Sequence, residues 1–214
     1  MTSSSLPSLN SVIPAADSDT SLKFDAREII AEILASFPLR HDKNHGIGHW
    51  ARVLQNGRHL ARRLNLPSTV VELFALVHDS QRLVESVDRE HGARAGIYVQ
   101  SLAKRGLIRL SDDELHQLTH ACHYHSSGMM AGPPVVQICW DADRLDLARV
   151  GTLPLSAKLC TDVARDPEFF ANAVEQGRQR ALPALVCSEW GITWTGPVAS
   201  VCEATAPRRF HLKP

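Results

Sequence analysis

Four stretches of the chain each set a histidine or a carboxylate on the apolar face of a helix, where together they could hold a metal ion. In VVELFALVHDSQRLV, Val71, Phe74 and His78 fall at i, i+3 and i+7, so His78 continues the core stripe. Asp79 stands beside it, and Arg82 is expected one turn beyond on the same side. In GHWARVLQNGRHL, His49 lines up with Val53 and Leu60; in HGARAGIYVQSL, His91 shares a stripe with Ala95, Tyr98, Val99 and Leu102. In VQICWDADRLDLARV, Asp143 runs with Cys139, Leu147 and Val150. Burying an unpaired imidazole or carboxylate costs several kcal/mol, so such residues need partners or a cation. Asp141 has apolar neighbours of its own (Leu145, Ala148), and periodicity alone leaves it a rival to Asp143.

The segment SDDELHQLTHACHYHSSG holds four histidines that periodicity separates. Leu115, Leu118, Cys122 and His125 form the inward stripe, which predicts His125 at the site. His116, His120 and His123 cluster roughly 140° away, on the wet face, at about 100° per residue. His41 and His45 precede a Gly-x-Gly break without any stripe and read as loop residues; Arg58, Arg62 and Arg63 read as a solvated helix face, and Trp50 and Trp140 as core.

The elements that must position these residues are helical. FDAREIIAEILASF has helical spacing with Asp25 available as its cap, and further helices are expected near 48–64, 69–85, 90–105, 112–124, 135–149, 153–164 and 167–182. HGIG at 45–48, LP at 66–67 and GMMAGPP at 128–134 mark breaks between them. Residues 1–23 are rich in Ser, Pro, Asp and Thr and read as a disordered arm. Residues 24–182 form the helical domain, and 183–214 an appendage whose structure the pattern leaves open between a hairpin, a lid and a tail.

At 214 residues, with 23 Lys and Arg against 23 Asp and Glu, the chain lacks the basic face that long nucleic acid requires. Its densest apolar run, LFALV, is five residues, far short of the roughly 20 of a membrane span. Five cysteines without a close pair argue against a disulfide scaffold or a Cys-based zinc site, and they suit a cytoplasmic protein. The unusual count is histidine: 11, of which ten lie between His41 and His125.

Three strings in order, HWARV, LVHDSQR and DADRLDLARVG, resemble the HD-domain superfamily of metal-dependent hydrolases, across roughly residues 40–150. The resemblance implies an all-α HD-domain helical bundle with a metal centre between helices, built from His49, His78, Asp79 and Asp143, and it selects Asp143 over Asp141. Members with two metals add histidines between the doublet and the last Asp, where His91 and His125 stand, with Asp79 then bridging. The sequence departs from the cyclic-di-GMP phosphodiesterase branch: it has no Gly-Tyr-Pro element, Tyr124-His125 replaces a His-His pair, and Arg82 replaces a lysine.

Imidazole with carboxylate suits one or two ions of Mn, Fe, Co, Ni or Zn. The expected activity is phosphohydrolysis of a nucleotide or other small phosphate ester, with Asp79 handling the attacking water and Arg82 neutralising the anionic substrate. Asp141, Asp146 and Arg144 are candidates to hold the ligands from behind. The alternatives are a di-iron oxygenase, as in the related myo-inositol oxygenase, and a non-catalytic binding or regulatory protein. Oligomeric state is not legible.

Overall fold

Where the apolar stripes fall, the chain coils. The computed structural model describes residues 23–194, with helices α1 (Ala26–Ser36), α2 (Ile47–Leu64), α3 (Thr69–Val77), α4 (His91–Lys104), α5 (Asp112–Tyr124), α6 (Pro134–Arg144), α7 (Pro167–Gln179) and α8 (Leu185–Ser188). The Asp25 carboxylate accepts the Arg27 N–H at the start of α1, and Ser111 and Glu114 close a capping box on α5. Proline opens α6 and α7, where its missing N–H costs nothing. Among the described residues the extended pairing is a single antiparallel bridge between Phe24 and Ile108, so the fold is all-α.

α2, α3, α5 and α6 pack as the central bundle around Trp50, Phe74 and Trp140. α4 pairs with α5, α1 covers α3, and α7 lies against α2 and the 3-10 turn Leu147–Val150. A Cβ on Gly57 of α2 would lie 2.2 Å from Val71 Cγ1 of α3, so those two helices meet at a glycine.

Two helices are shorter than the periodicity suggests. α3 ends at Val77 rather than near 85; side chains join the backbone on its last carbonyls, with Phe74 O accepting from both the N–H and Nδ1 of His78 and Val77 O from both the N–H and Oγ of Ser80. Arg82 therefore stands in the connection 78–90, not on a continuing helix. α6 ends at Arg144 and passes into the 3-10 turn, which Gly151 closes with φ 79°. The helix expected at 153–164 does not form; one 3-10 turn, Ser156–Lys158, stands there. Pro154 disfavours helix at Leu153, and Asp141 accepts the N–H groups of Cys160 and Thr161, which ties this stretch to α6 in irregular form.

The arm expected over 1–23 lies outside the described residues apart from Lys23. Of the appendage, 183–194 packs on the bundle, with Val186, Trp190, Ile192 and Trp194 buried, and Arg58 bridges Glu72 and Glu189; 195–214 lie outside. Of the described cysteines, Cys122, Cys139, Cys160 and Cys187 are free. No helix of the described residues is long and apolar enough to cross a membrane.

Candidate metal centre

Six side chains from five helix ends or turns converge on one point. His49 lies in the first turn of α2, His78 caps α3 with Asp79 next to it, His91 opens α4, His125 caps α5, and Asp143 lies in the last turn of α6. The Asp79 carboxylate sits between two sets of imidazoles. Its Oδ2 is 3.5 Å from His49 Nε2 and 3.7 Å from His78 Nε2, and its Oδ1 is 3.2 Å from His91 Nε2 and 3.6 Å from His125 Nε2. Asp143 Oδ1 joins the former set, 3.4 Å from His49 Nε2.

Hydrogen bonding behind the rings decides what faces forward. His78 Nδ1 donates to Phe74 O, His125 Nδ1 to Cys122 O and His91 Nδ1 to Asp88 O, while His49 Nδ1 bonds the Asp146 carboxylate at 2.7 Å. In a neutral ring held this way the proton is on Nδ1, and Nε2 presents a lone pair to the common space. The Nε2 atoms face one another, His49 to His78 at 3.0 Å and His91 to His125 at 2.7 Å. Lone pairs and carboxylates crowded in this way call for a cation among them. Two groups, His49–His78–Asp79 and Asp79–His91–His125, have donor atoms all within 4.8 Å of one another, and each could hold a metal ion.

No family model matches the chain, and no curated protein matches it. Among solved structures it is similar to a predicted HD superfamily hydrolase from an uncultured Thermotogales bacterium, at 25% identity and a TM-score of 0.55, over 78% of this chain and 93% of that one. Its helical fold is that of an HD domain. Its doublet, His78-Asp79, occupies the turn where α3 is cut short, which is what lets consecutive residues point into the same centre.

Electrostatics in the HD site follow from burial. Burial drives the His78 imidazole down to about 3, so it is neutral. Burial and the Arg149 charge also push His49 down, but its bonds to Asp143, Asp146 and Asp79 outweigh them and lift it to about 9. Asp79 is held well below the usual carboxylate range: burial opposes this, and the surrounding imidazoles prevail.

Asp79, His91, His125 and Asp143 of the cluster form part of the wall of a cavity of about 320 Å³, whose lining also includes His45, Arg82, Arg144, Arg149 and Val150. Two of these, Arg149 and His45, fill roles that the sequence reading missed, and Arg144, expected to hold the ligands from behind, bonds to loop carbonyls instead. Arg149 is buried, donates to Asn44 O at 2.8 Å and Asp146 O at 3.2 Å, and brings Nη2 to 4.0 Å from Asp79. His45, read only as a loop residue, is buried in the cavity wall with Nδ1 2.7 Å from Glu85 Oε2. Arg144 donates to Lys158 O and Met129 O and so braces the loops around the cavity.

Behind His49, Asp146 accepts from Arg52 Nε at 2.6 Å and from its Nη2 at 3.1 Å. Arg52 is three residues after His49 in HWARV; its spacing carried the signal, since i and i+3 share a helix face. Asp141, the periodic rival of Asp143, turns away from the centre to hold Cys160 and Thr161, which corrects its reading as a support for the ligands. His116 and His123 are exposed and His120 half-buried against Trp140, all away from the cluster.

Proposed function

We propose that this HD domain is a metal-dependent phosphohydrolase acting on a nucleotide or other small phosphate ester. The observation that carries the reading is the convergence of the Nε2 atoms of His49, His78, His91 and His125 with two carboxylates, Asp79 and Asp143, beside a cavity whose wall includes His91, His125, both carboxylates and guanidinium groups. His49, His78, Asp79 and Asp143 would hold one divalent ion of Mn, Fe, Co, Ni or Zn, and His91 and His125 with Asp79 a second. When bound, such an ion lowers the pKa of its water toward 7 and polarises a phosphoryl oxygen.

The chain's own groups supply the rest. Asp79 would orient the attacking water by accepting its hydrogen bond; its depressed pKa keeps it ionised at neutral pH. Arg82 and Arg149 stand on opposite sides of Asp79, within 3.6 and 4.0 Å of its two oxygens, where they can neutralise the phosphoryl oxygens of a substrate. Asp146, clamped by Arg52, holds the His49 ring so that Nε2 faces the centre. The cavity has room for a small ester, and a chain with equal numbers of basic and acidic residues does not favour a long polyanion.

Two imidazole pairs sharing a carboxylate also suit di-iron oxygen chemistry, and the guanidinium groups around the cavity weigh toward phosphate instead. The test is phosphate release from nucleoside monophosphates and p-nitrophenyl phosphate by chelated protein before and after Mn, Fe, Co, Ni or Zn is restored. Metal-restored release that proceeds without oxygen is expected. No release with any metal, or turnover only under oxygen, contradicts the proposal.

A further inference from the structure

The two halves of the centre do not meet their positive charge in the same way. Around His91 and His125 a guanidinium already occupies the place of a cation: Arg82 Nη1 is 3.2 Å from His91 Nε2 and 3.6 Å from Asp79 Oδ1. Because His91 spends its Nδ1 proton on Asp88 O, its Nε2 is the acceptor of that contact, and the lone pair a metal would use is engaged by Arg82. The guanidinium is held there by the turn itself, with Nη2 donating to Ser86 O at 2.7 Å, while Nε is buried without a partner. Around His49 and His78, among the described residues, no guanidinium reaches hydrogen-bond distance of either Nε2. Arg149 spends Nε and Nη1 on carbonyls and comes no nearer than 4.0 Å to Asp79.

We propose that Arg82 is the built-in cation of the Asp79–His91–His125 half, so that the chain binds one metal ion readily at His49–His78–Asp79–Asp143 and a second only by displacing the Arg82 guanidinium. This rests on the metal-centre reading above. A divalent ion entering the second half must break the Arg82–His91 contact and stand beside a buried like charge, both of which weaken its binding relative to the first half. Arg82 thus sets the number of metals that the centre holds.

Titration of the full-length, chelator-stripped chain with Mn(II), followed by calorimetry and by elemental content after dialysis, reads this directly. The wild type should bind one equivalent with a second at least about tenfold weaker, a coupling of ordinary size for interacting sites. Arg82→Gln should tighten the second by about tenfold or more and leave the first within about twofold. Two equivalents of equal affinity in the wild type, or a second one unmoved by Arg82→Gln, would overturn the proposal. Should Arg82→Gln lose its helical circular dichroism, His91→Ala decides instead: it should remove the weak equivalent alone, and loss of the tight one would overturn the assignment. Binding of no metal by the wild type is a different failure, that of the metal-centre reading itself.

Discussion

The His49–His78 half of the centre and the His91–His125 half share Asp79 and the same geometry of facing imidazoles, yet they are built to different depths. The former has a second carboxylate, Asp143, and a buried pair behind it, Asp146 with Arg52, that fixes the His49 ring. Among the described residues the latter has no second carboxylate; its rings lean on the backbone carbonyls of Asp88 and Cys122, and Arg82 stands in its midst. The difference teaches that histidine count alone does not set metal count. Affinity depends on the negative charge facing the ion and on what already neutralises it.

Removing the shared group should collapse both halves. Asp79→Asn is expected to lower metal-dependent turnover by more than about 100-fold, beyond the 10–100-fold seen for supporting residues, with helicity kept. Full activity would break the account. Asp146→Asn should act on one half only, weakening the tight metal by about 10–100-fold because the His49 tautomer is no longer fixed; a titration in which the weak equivalent moved instead would reverse the assignment of the halves.

The other half can be addressed through backbone spacing. A Cβ at Gly92 would lie 2.7 Å from the carbonyl oxygens of Cys122 and His123, so this glycine lets α4 approach α5 closely enough for His91 to meet His125. Gly92→Ala should cost about 1–3 kcal/mol of stability through overpacking and remove the weak equivalent while sparing the tight one. A Gly92→Ala chain binding both metals as the wild type does would show that the helix spacing is not what builds that half. The smallest effects belong to neighbours on one helix end: His123→Ala, exposed, should change stability by no more than about 0.5 kcal/mol and leave metal binding alone, whereas His125→Ala should abolish the weak equivalent. Equal effects would blur the distinction between the inward and wet faces of α5.

Much of this was legible from periodicity, because a bundle core reads as a stripe wherever the helix runs its full length. The stripes brought His49, His91, His125 and Asp143 to one place and put His116 and His123 on the outside. The reading weakened where helices stop. Arg82 reaches the centre from the turn that follows α3, where no helical repeat places it, and the stretch 153–164 is tied down by the distant carboxylate of Asp141. Arg149 and His45 escaped for the same reason: one lies in a 3-10 turn and the other in a loop, where no repeat relates a residue to the core. Asp146 was visible as a neighbour of Asp143, but its pairing with Arg52 spans 94 residues and emerges only on folding.

The central claim is that the Asp79 cluster holds metal. Elemental analysis of untagged wild type and Asp79→Asn, each purified without chelator and then dialysed after incubation with Mn or Fe, tests it most directly. At least one ion per wild-type chain and none in a helical Asp79→Asn chain is the predicted result. No metal in the wild type, or equal metal in both, would contradict it.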